Sequence, residues 1–277
     1  MNGTYKLDTT AWCPGCGNFV ILKTLDKVID SAGIDRHNLV LVSGIGQAAK
    51  LPHYINANVF NGLHGRALPA ATGIKIANHQ LDVIVTSGDG DIYGEGGNHF
   101  LHALRRNIGI KVFVHNNQVY GLTKGQASPT SDIGFVTKVQ PHGVISIPVN
   151  PLAIAVSEDC SFVARSTATD MEHLEKMMTE AIKSKGFALL DILQPCVSFN
   201  KVNTYKWYRD RCRELPADYD PYDRQKAFAA AIKWGDEIPI GVIYRSSRKS
   251  YEEMNPILSG EPLVKTYNTK SSLKFYI

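Results

Sequence analysis

The chain is poor in cysteine, with five in 277 residues, at positions 13, 16, 160, 196 and 212. An odd, scattered set makes a poor disulfide framework, so the fold must rest on its core and the thiols stay reduced. No apolar run reaches membrane-spanning length, which excludes a transmembrane helix and a membrane partner. The opening MNGTYKLDTT is polar rather than signal-like, and the expectation is a cytoplasmic protein. Internal repeats and low-complexity tracts are absent too. So is a strong charge of one sign: 30 Lys and Arg stand against 26 Asp and Glu, for a net charge of +4. Residues 1–200 are balanced at 16 against 16, and residues 201–277 supply the excess, 14 against 10. Its densest part, KWYRDRCR (Lys206 to Arg213), reads as a solvated face or a contact for an acidic protein, and nucleic acid is not expected as a partner.

What is present is alternation. FVILKTLDKVIDSAG carries apolar residues at helical spacing and stops at Gly33. LVLVSGIG (39–46) is a short β-rich run ending in glycines, as a buried parallel strand would. LPAATGIKIANH then reads as a helix, VIVTSGDGD as a strand, NHFLHALRRN as a helix and KVFVHNN as a third strand. A long Gly/Pro-punctuated loop follows. After it comes TDMEHLEKMMTEAIKSKG, a helix in which Thr169 and Glu172 have capping-box spacing and Gly186 marks the stop. FALLDILQP is the fourth strand. The pattern predicts an α/β fold, a parallel sheet flanked by helices, whose ligands sit beyond the carboxyl ends of the strands. Residues 1–200 form the main domain. Residues 201–277 read as an irregular C-terminal extension packing on that domain or on a partner subunit.

Two stretches carry chemistry. The first is GDGDIYGEGGNHFLHALRRNIGIKVFVHNNQVYG. Asp89 lies just after one strand and Asn117 ends the next, 28 positions later. That gap is one β–α–β crossover, so both side chains emerge side by side at one sheet edge. A carboxylate oxygen, an amide oxygen and the Val119 carbonyl make half of a magnesium octahedron, leaving positions for phosphate oxygens and water. The glycines let a diphosphate approach the backbone closely. A dinucleotide fingerprint fails on spacing, because position 93 is Tyr; the remaining alternative is a tight turn beside an Asn-capped strand. The second stretch is WCPGCG, where Cys13 and Cys16 form a metal-gripping knuckle. A zinc ribbon needs a second pair about 15–20 residues on, and none is there.

GDG followed after 25 residues by NN is the thiamine diphosphate motif. With it, WCPGCG (12–17), SGIG (43–46), LHGRALPAATGIK (63–75), VYGLTKGQASPTS (119–131) and LQPCVSFN (193–200) follow in an order that resembles the β subunit of 2-oxoacid:ferredoxin oxidoreductases over about residues 8–215. The resemblance implies a thiamine diphosphate-binding fold. It also implies that Asp89, Asn117 and the carbonyl of Val119 hold Mg²⁺. The Ser43-Gly44-Ile45-Gly46-Gln47 turn, His64, Gly90, Asp91, Leu122 and Thr123 would line the cofactor. In the similar family a 4Fe–4S cluster takes the CxxC pair, a Cys after SGIG and a Cys in QPC. Here Cys13, Cys16 and Cys196 match, and the remaining position is Gln47. The fourth iron ligand is therefore open among Gln47, a partner's side chain and a solvent oxygen, or the cluster is labile. Cys160 is an outside candidate whose favoured role is a buried structural thiol.

The implied reaction is oxidative decarboxylation of a 2-oxoacid to acyl-CoA and carbon dioxide, with electrons passing through the iron–sulfur cluster to ferredoxin. No carboxylate for the cofactor's pyrimidine stands out here. In the family it comes from an α subunit, so an αβ assembly is implied, with further γ and δ subunits as an option. Lys124, in GLTKGQ, and Lys50 as a second cation point to 2-oxoglutarate or a broad range of 2-oxoacids. Two rival readings remain: a thiamine decarboxylase or carboligase without redox chemistry, and a non-catalytic zinc-binding module on Cys13 and Cys16.

Overall fold

The computed structural model describes residues 9–266. Helix α1 (Asn18–Ser31) forms where apolar residues recur at helical spacing, and Ile21, Leu25, Val28 and Ile29 are all fully buried. Burial of four such side chains stabilises by roughly 1.5–3 kcal/mol each before the entropy of ordering them is charged. Gly33, at φ +67°, turns the chain out of the helix. It then enters β1 (Leu39–Ser43), a 3₁₀ turn over Ala48–Tyr54, β2 (Asn58–Asn61), α2 (Ala67–Ala77) and β3 (Asp82–Gly88). A π-helical turn over Gly90–Glu95 leads into α3 (Gly97–Arg106) and β4 (Lys111–Asn116), and then a small hairpin of β5 (Val119–Tyr120) and β6 (Gln126–Ala127). The remaining frame is α4 (Pro151–Ser157), β7 (Phe162–Thr167), α5 (Met171–Lys183), β8 (Ala188–Leu193), α6 (Tyr205–Arg211), β9 (Cys212–Glu214), α7 (Arg224–Ile232) and β10 (Ile238–Arg245).

Eight strands form one sheet in the order β2-β1-β3-β4-β8-β7-β10-β9. Every pairing in it is parallel except β7 with β10, which is antiparallel. Alternating strand residues feed two apolar layers. Leu39, Leu41, Ile84, Phe113, Phe162, Leu190 and Ile192 meet α1 and α5 on one face. Val42, Val83, Val85, Val112, Val114, Val163 and Leu189 meet α2, α3, α4 and α7 on the other. The result is the expected mostly parallel sheet with helices on both faces.

Three details differ from expectation. The loop before α5 contains α4 and a complete strand, β7, all six of whose residues are buried. Its pattern was hidden by Arg165, a charge that a core strand rarely carries. Here the Arg165 guanidinium donates to the carbonyls of Ala231 (3.0 Å) and Pro239 (3.3 Å). The N-cap of α5 is Asp170, which accepts from the His173 N–H at 3.0 Å, so the Thr169–Glu172 capping box does not form. Residues beyond 200 place β10 and β9 in the sheet itself rather than only against it.

Candidate functional site

The carboxyl ends of β1, β3 and β4 open into a cleft lined by Ile45, Gly46, Gln47, His64, the Gly88–Asp91 turn, Glu95, Asn117 and the chain from Val119 to Thr123. Asp89 sits at its floor, 1% exposed. Ser128 donates to its Oδ2 at 2.5 Å and Thr130 at 2.7 Å, while no side chain among the described residues donates to Oδ1. Burial pushes the Asp89 carboxyl up, and the two hydroxyls together with the Asn117 N–H pull it back toward the charged form. Asp89 and Asn117 are thus neighbours at one sheet edge. The Asn117 Oδ1 accepts from the Val119 N–H at 3.1 Å, and that turn brings the two remaining candidate ligands together. The donors are all hard oxygens, one of them on a carboxylate with an oxygen to spare, which suits Mg²⁺.

Several glycines are required by close approach. A Cβ on Gly90 would lie 2.1 Å from the Tyr120 ring. One on Gly44 would lie 2.0 Å from the Asp91 carboxylate. Gly46, at φ +122°, has nothing within 4 Å of where its Cβ would stand, so bare backbone faces the open cleft. Such a surface accommodates a diphosphate.

Not every expected residue faces that cleft. Asp91 does line it, but its carboxylate is taken up by the Ser87 hydroxyl (2.8 Å) and by the N–H groups of Gly65 (2.8 Å) and Ile45 (3.1 Å). It holds the walls in place. Ser43 and Gly44 stand behind the turn, where Asn61 donates to the Ser43 hydroxyl at 2.9 Å and to the Gly44 carbonyl at 2.8 Å. His64, Leu122, Thr123 and Lys124 are exposed at the rim, and Lys50 is half-buried in the 3₁₀ turn. Lys124 adopts φ +75°, a strained conformation for a side chain of its size.

The cysteines converge at the same edge. Cys13 and Cys16 precede α1, and Cys196 follows β8. Burial raises the Cys16 thiol, and the neighbouring Cys196 and Cys13 raise it further, as like charges in one pocket would. Ser198 donates to the Cys13 Sγ at 3.0 Å, and Gln194 to the Cys16 Sγ at 3.4 Å. The described trio of His, Cys, Asp or Glu ligand atoms gathered within 4.8 Å is His64, Asp91 and Glu95, not the three sulfurs. Trp12 Nε1 donates to the Gln47 carbonyl at 2.8 Å, tying Gln47 to the residue before Cys13, and the Gln47 Oε1 is buried without a partner. Cys160 is remote: it precedes β7, at the amino end of the sheet, with its Sγ directed at the carbonyls of Phe162 and Phe187. Burial pushes that thiol up to about 12.

Sequence reasoning missed Ser128, Thr130 and Ser131. The signal was there in ASPTS, three hydroxyls around a proline at the end of a distinctive block, but hydroxyls in a loop carry no periodicity to flag them.

Comparison with known proteins bears on the chain as a whole. Residues 41–192 match the family described as thiamine pyrophosphate enzyme, C-terminal TPP binding domain, and residues 196–259 match the family of the C-terminal part of the pyruvate ferredoxin oxidoreductase beta subunit. A 2-oxoacid:ferredoxin oxidoreductase subunit beta of Saccharolobus solfataricus is 46% identical over 90% of this chain and 86% of its own. A 2-oxoglutarate synthase subunit KorB of Archaeoglobus fulgidus is 39% identical over 70% of this chain and 72% of its own. Among solved structures, a 2-oxoglutarate:ferredoxin oxidoreductase from Magnetococcus marinus with 2-oxoglutarate, coenzyme A and succinyl-CoA bound superposes with a TM-score of 0.87 at 34% identity, covering 89% of this chain and 84% of that one. A cleft at the carboxyl edge of the sheet, in a chain matched over 90% of its length at 46% identity by such a subunit, makes this chain a member of the 2-oxoacid:ferredoxin oxidoreductase β-subunit family.

Proposed function

We propose that this chain binds thiamine diphosphate through Mg²⁺ and carries an iron–sulfur cluster, and that with an α subunit it converts a 2-oxoacid, coenzyme A and oxidised ferredoxin to acyl-CoA, carbon dioxide and reduced ferredoxin. One observation carries the reading: Asp89 and the Asn117–Val119 turn come from adjacent strands to the same sheet edge as Cys13, Cys16 and Cys196. Thiamine diphosphate supplies a nucleophilic carbon and an electron sink for the carbanion left by decarboxylation. This chain's part is to hold and shield it. Asp89, Asn117 and the Val119 carbonyl would hold the cation, and the bare backbone at Gly46 would admit the diphosphate. Cys13, Cys16 and Cys196 would ligate the cluster, with the orphaned Gln47 Oε1 or a group from outside the chain at the fourth iron. Among the described residues, the carboxylates along the cleft are Asp89, Asp91 and Glu95. The first two are committed to the site's own frame and the third is exposed at its rim, so the carboxylate that activates the pyrimidine comes from the α subunit. Lys124 and Lys50 would serve the distal carboxylate of 2-oxoglutarate, which selects that acid or a broad range of them.

The test is anaerobic purification of the assembled enzyme, with iron, sulfide and zinc assays and an absorption spectrum. Iron and sulfide, with a visible band that bleaches on adding 2-oxoglutarate and coenzyme A, support the reading. Stoichiometric zinc, or a colourless protein that still decarboxylates, overturns it.

A further inference from the structure

The loop after the β5–β6 hairpin turns sharply over Ser128, Pro129, Thr130 and Ser131, all at least half-buried. It closes on itself through the Ser131 N–H to the Ser128 carbonyl (3.1 Å) and the Ser128 N–H to the Ser131 Oγ (2.8 Å). From one side of this turn two hydroxyls reach a single atom, Asp89 Oδ2, at 2.5 and 2.7 Å. From the other it grips Gln118. Ser131 Oγ donates to the Gln118 carbonyl at 2.6 Å, and Gln118 Nε2 donates to the Thr130 carbonyl at 2.7 Å. Gln118 lies between Asn117 and Val119 at φ +57°, a left-handed conformation that a glutamine keeps only when held there. One four-residue turn therefore touches both halves of the oxygen set, across a sequence gap of 39 residues for Ser128 and Asp89.

We propose that the Ser128–Ser131 turn is the positioning element of the cation site: Ser128 and Thr130 fix one oxygen of Asp89 and so present the other to the metal, while Ser131 and Thr130 fix the Gln118 peptide that joins Asn117 to Val119. The proposal rests on the cation reading above and deepens it. An unanchored carboxylate can turn either oxygen, or both, toward a cation. A carboxylate whose Oδ2 is already engaged by two hydroxyls is held in one orientation, which fits the strict octahedral demand of Mg²⁺. Ser128, Thr130 and Ser131 do not line the cleft and act on it through Asp89 and Gln118, so they are positioning residues.

The experiment measures Mn²⁺ binding by electron paramagnetic resonance in the assembled enzyme, stripped of cation and supplied with thiamine diphosphate. Thr130→Val keeps the side chain's shape and removes its hydroxyl; Ser128→Ala removes the other. Each is expected to weaken Mn²⁺ binding about tenfold, and the pair up to about a hundredfold. Thr130→Ser, which restores a hydroxyl, is expected to bind as the wild type does. The unfolding midpoint of the cation-free protein separates the alternatives. A turn that is merely structural lowers the midpoint in Thr130→Val and Ser128→Ala and leaves their Mn²⁺ affinity at the wild-type value, and that result overturns the proposal. Wild-type enzyme that takes up no Mn²⁺ with thiamine diphosphate fails one step earlier, and the cation reading falls with it.

Discussion

At the amino ends of the central strands, Lys75 and Lys111 are half-buried with their ammonium groups engaged by carbonyls. Lys75 donates to His79 (2.8 Å) and Leu81 (2.7 Å), closing the turn after α2. Lys111 donates to Ser184 and, at 3.1 Å, to Gly186, closing the end of α5. At the carboxyl ends Asp89 is more deeply buried, yet both of its hydroxyl donors share one oxygen and the residue lines an open cleft. Both ends carry the desolvation cost of a buried charge. At one end the charge is closed off by the chain's own backbone, and it fastens helices to strands. At the other it keeps a valence in reserve. A buried charge marks a site when its coordination is unfinished, not merely when it is buried.

Asp89→Asn breaks that comparison most directly. The neutral isostere removes the anion and keeps the shape, so turnover of the assembled enzyme should fall on the order of a thousandfold, the equivalent of roughly 4 kcal/mol of lost metal-dependent stabilisation. The unfolding midpoint should hold or rise, because burial already disfavours the charged carboxylate. Ferredoxin reduction and thermal denaturation on the same preparation decide it. A large loss of stability would class Asp89 with the lysines at the far end.

Lys111→Met is the converse, with its effect on the fold and none on the cofactor. Burial lowers the Lys111 ammonium to about 8, against about 10.4 in an unfolded chain. Between those values the unfolded chain binds the proton and the folded one does not, so wild-type stability rises with pH from about 8 to 10.4, by at most about 3 kcal/mol. Below pH 8 both states are charged and the fold carries the full cost. The variant lacks this slope, so the difference between the two proteins in urea denaturation should change across that window and stay flat from pH 6 to 7. Equal slopes would show that Lys111 is not the titrating group. At pH 7 the variant also leaves the Ser184 and Gly186 carbonyls without their donor, which costs about 1–3 kcal/mol.

The sequence made the carboxyl end legible and the amino end nearly silent, for physical reasons. Glycines flanking Asp89, and Asn117 one crossover later, announce themselves because a ligand site needs particular atoms at a fixed spacing along two strands. Lys111 opens KVFVHNN as an ordinary strand residue, and nothing local says that its ammonium reaches Ser184 and Gly186 more than 70 residues on. Strand β7 was missed for a kindred reason. Arg165 is tolerable in the core because Pro239 and Ala231, on segments much later in the chain, receive it and the Asp191 carboxyl lies nearby. Strand β2 was missed because NVFN is short, polar-flanked and exposed at the sheet edge. Local pattern records what a residue does within a few turns. The partners that close a buried charge come from wherever the topology brings them.

A smaller effect sharpens the contrast among lysines. Lys124 stands exposed at the cleft rim in a left-handed conformation, in contrast to the two lysines closed off below. Lys124→Ala should raise the KM for 2-oxoglutarate about tenfold, the scale of one charge-assisted contact, and leave the KM for pyruvate near its wild-type value. An equal rise for both acids would remove Lys124 from the choice of substrate.

The smallest effect concerns the thiols. Cys160 lies at the amino end of β7, packed among apolar side chains with its Sγ against two carbonyls, while Cys13 and Cys16 sit at the other end beside polar donors. The span of β7, six residues at about 3.3 Å each, puts roughly 20 Å between Cys160 and the sheet edge where Cys13, Cys16 and Cys196 lie. No side-chain motion covers that distance. Cys160→Ala should therefore leave the iron content unchanged and cost about 1 kcal/mol in denaturant unfolding, the effect of one small cavity. A fall in iron with stability intact would make Cys160 a ligand of the proposed cluster, which would require β7 to end at the site rather than begin opposite it.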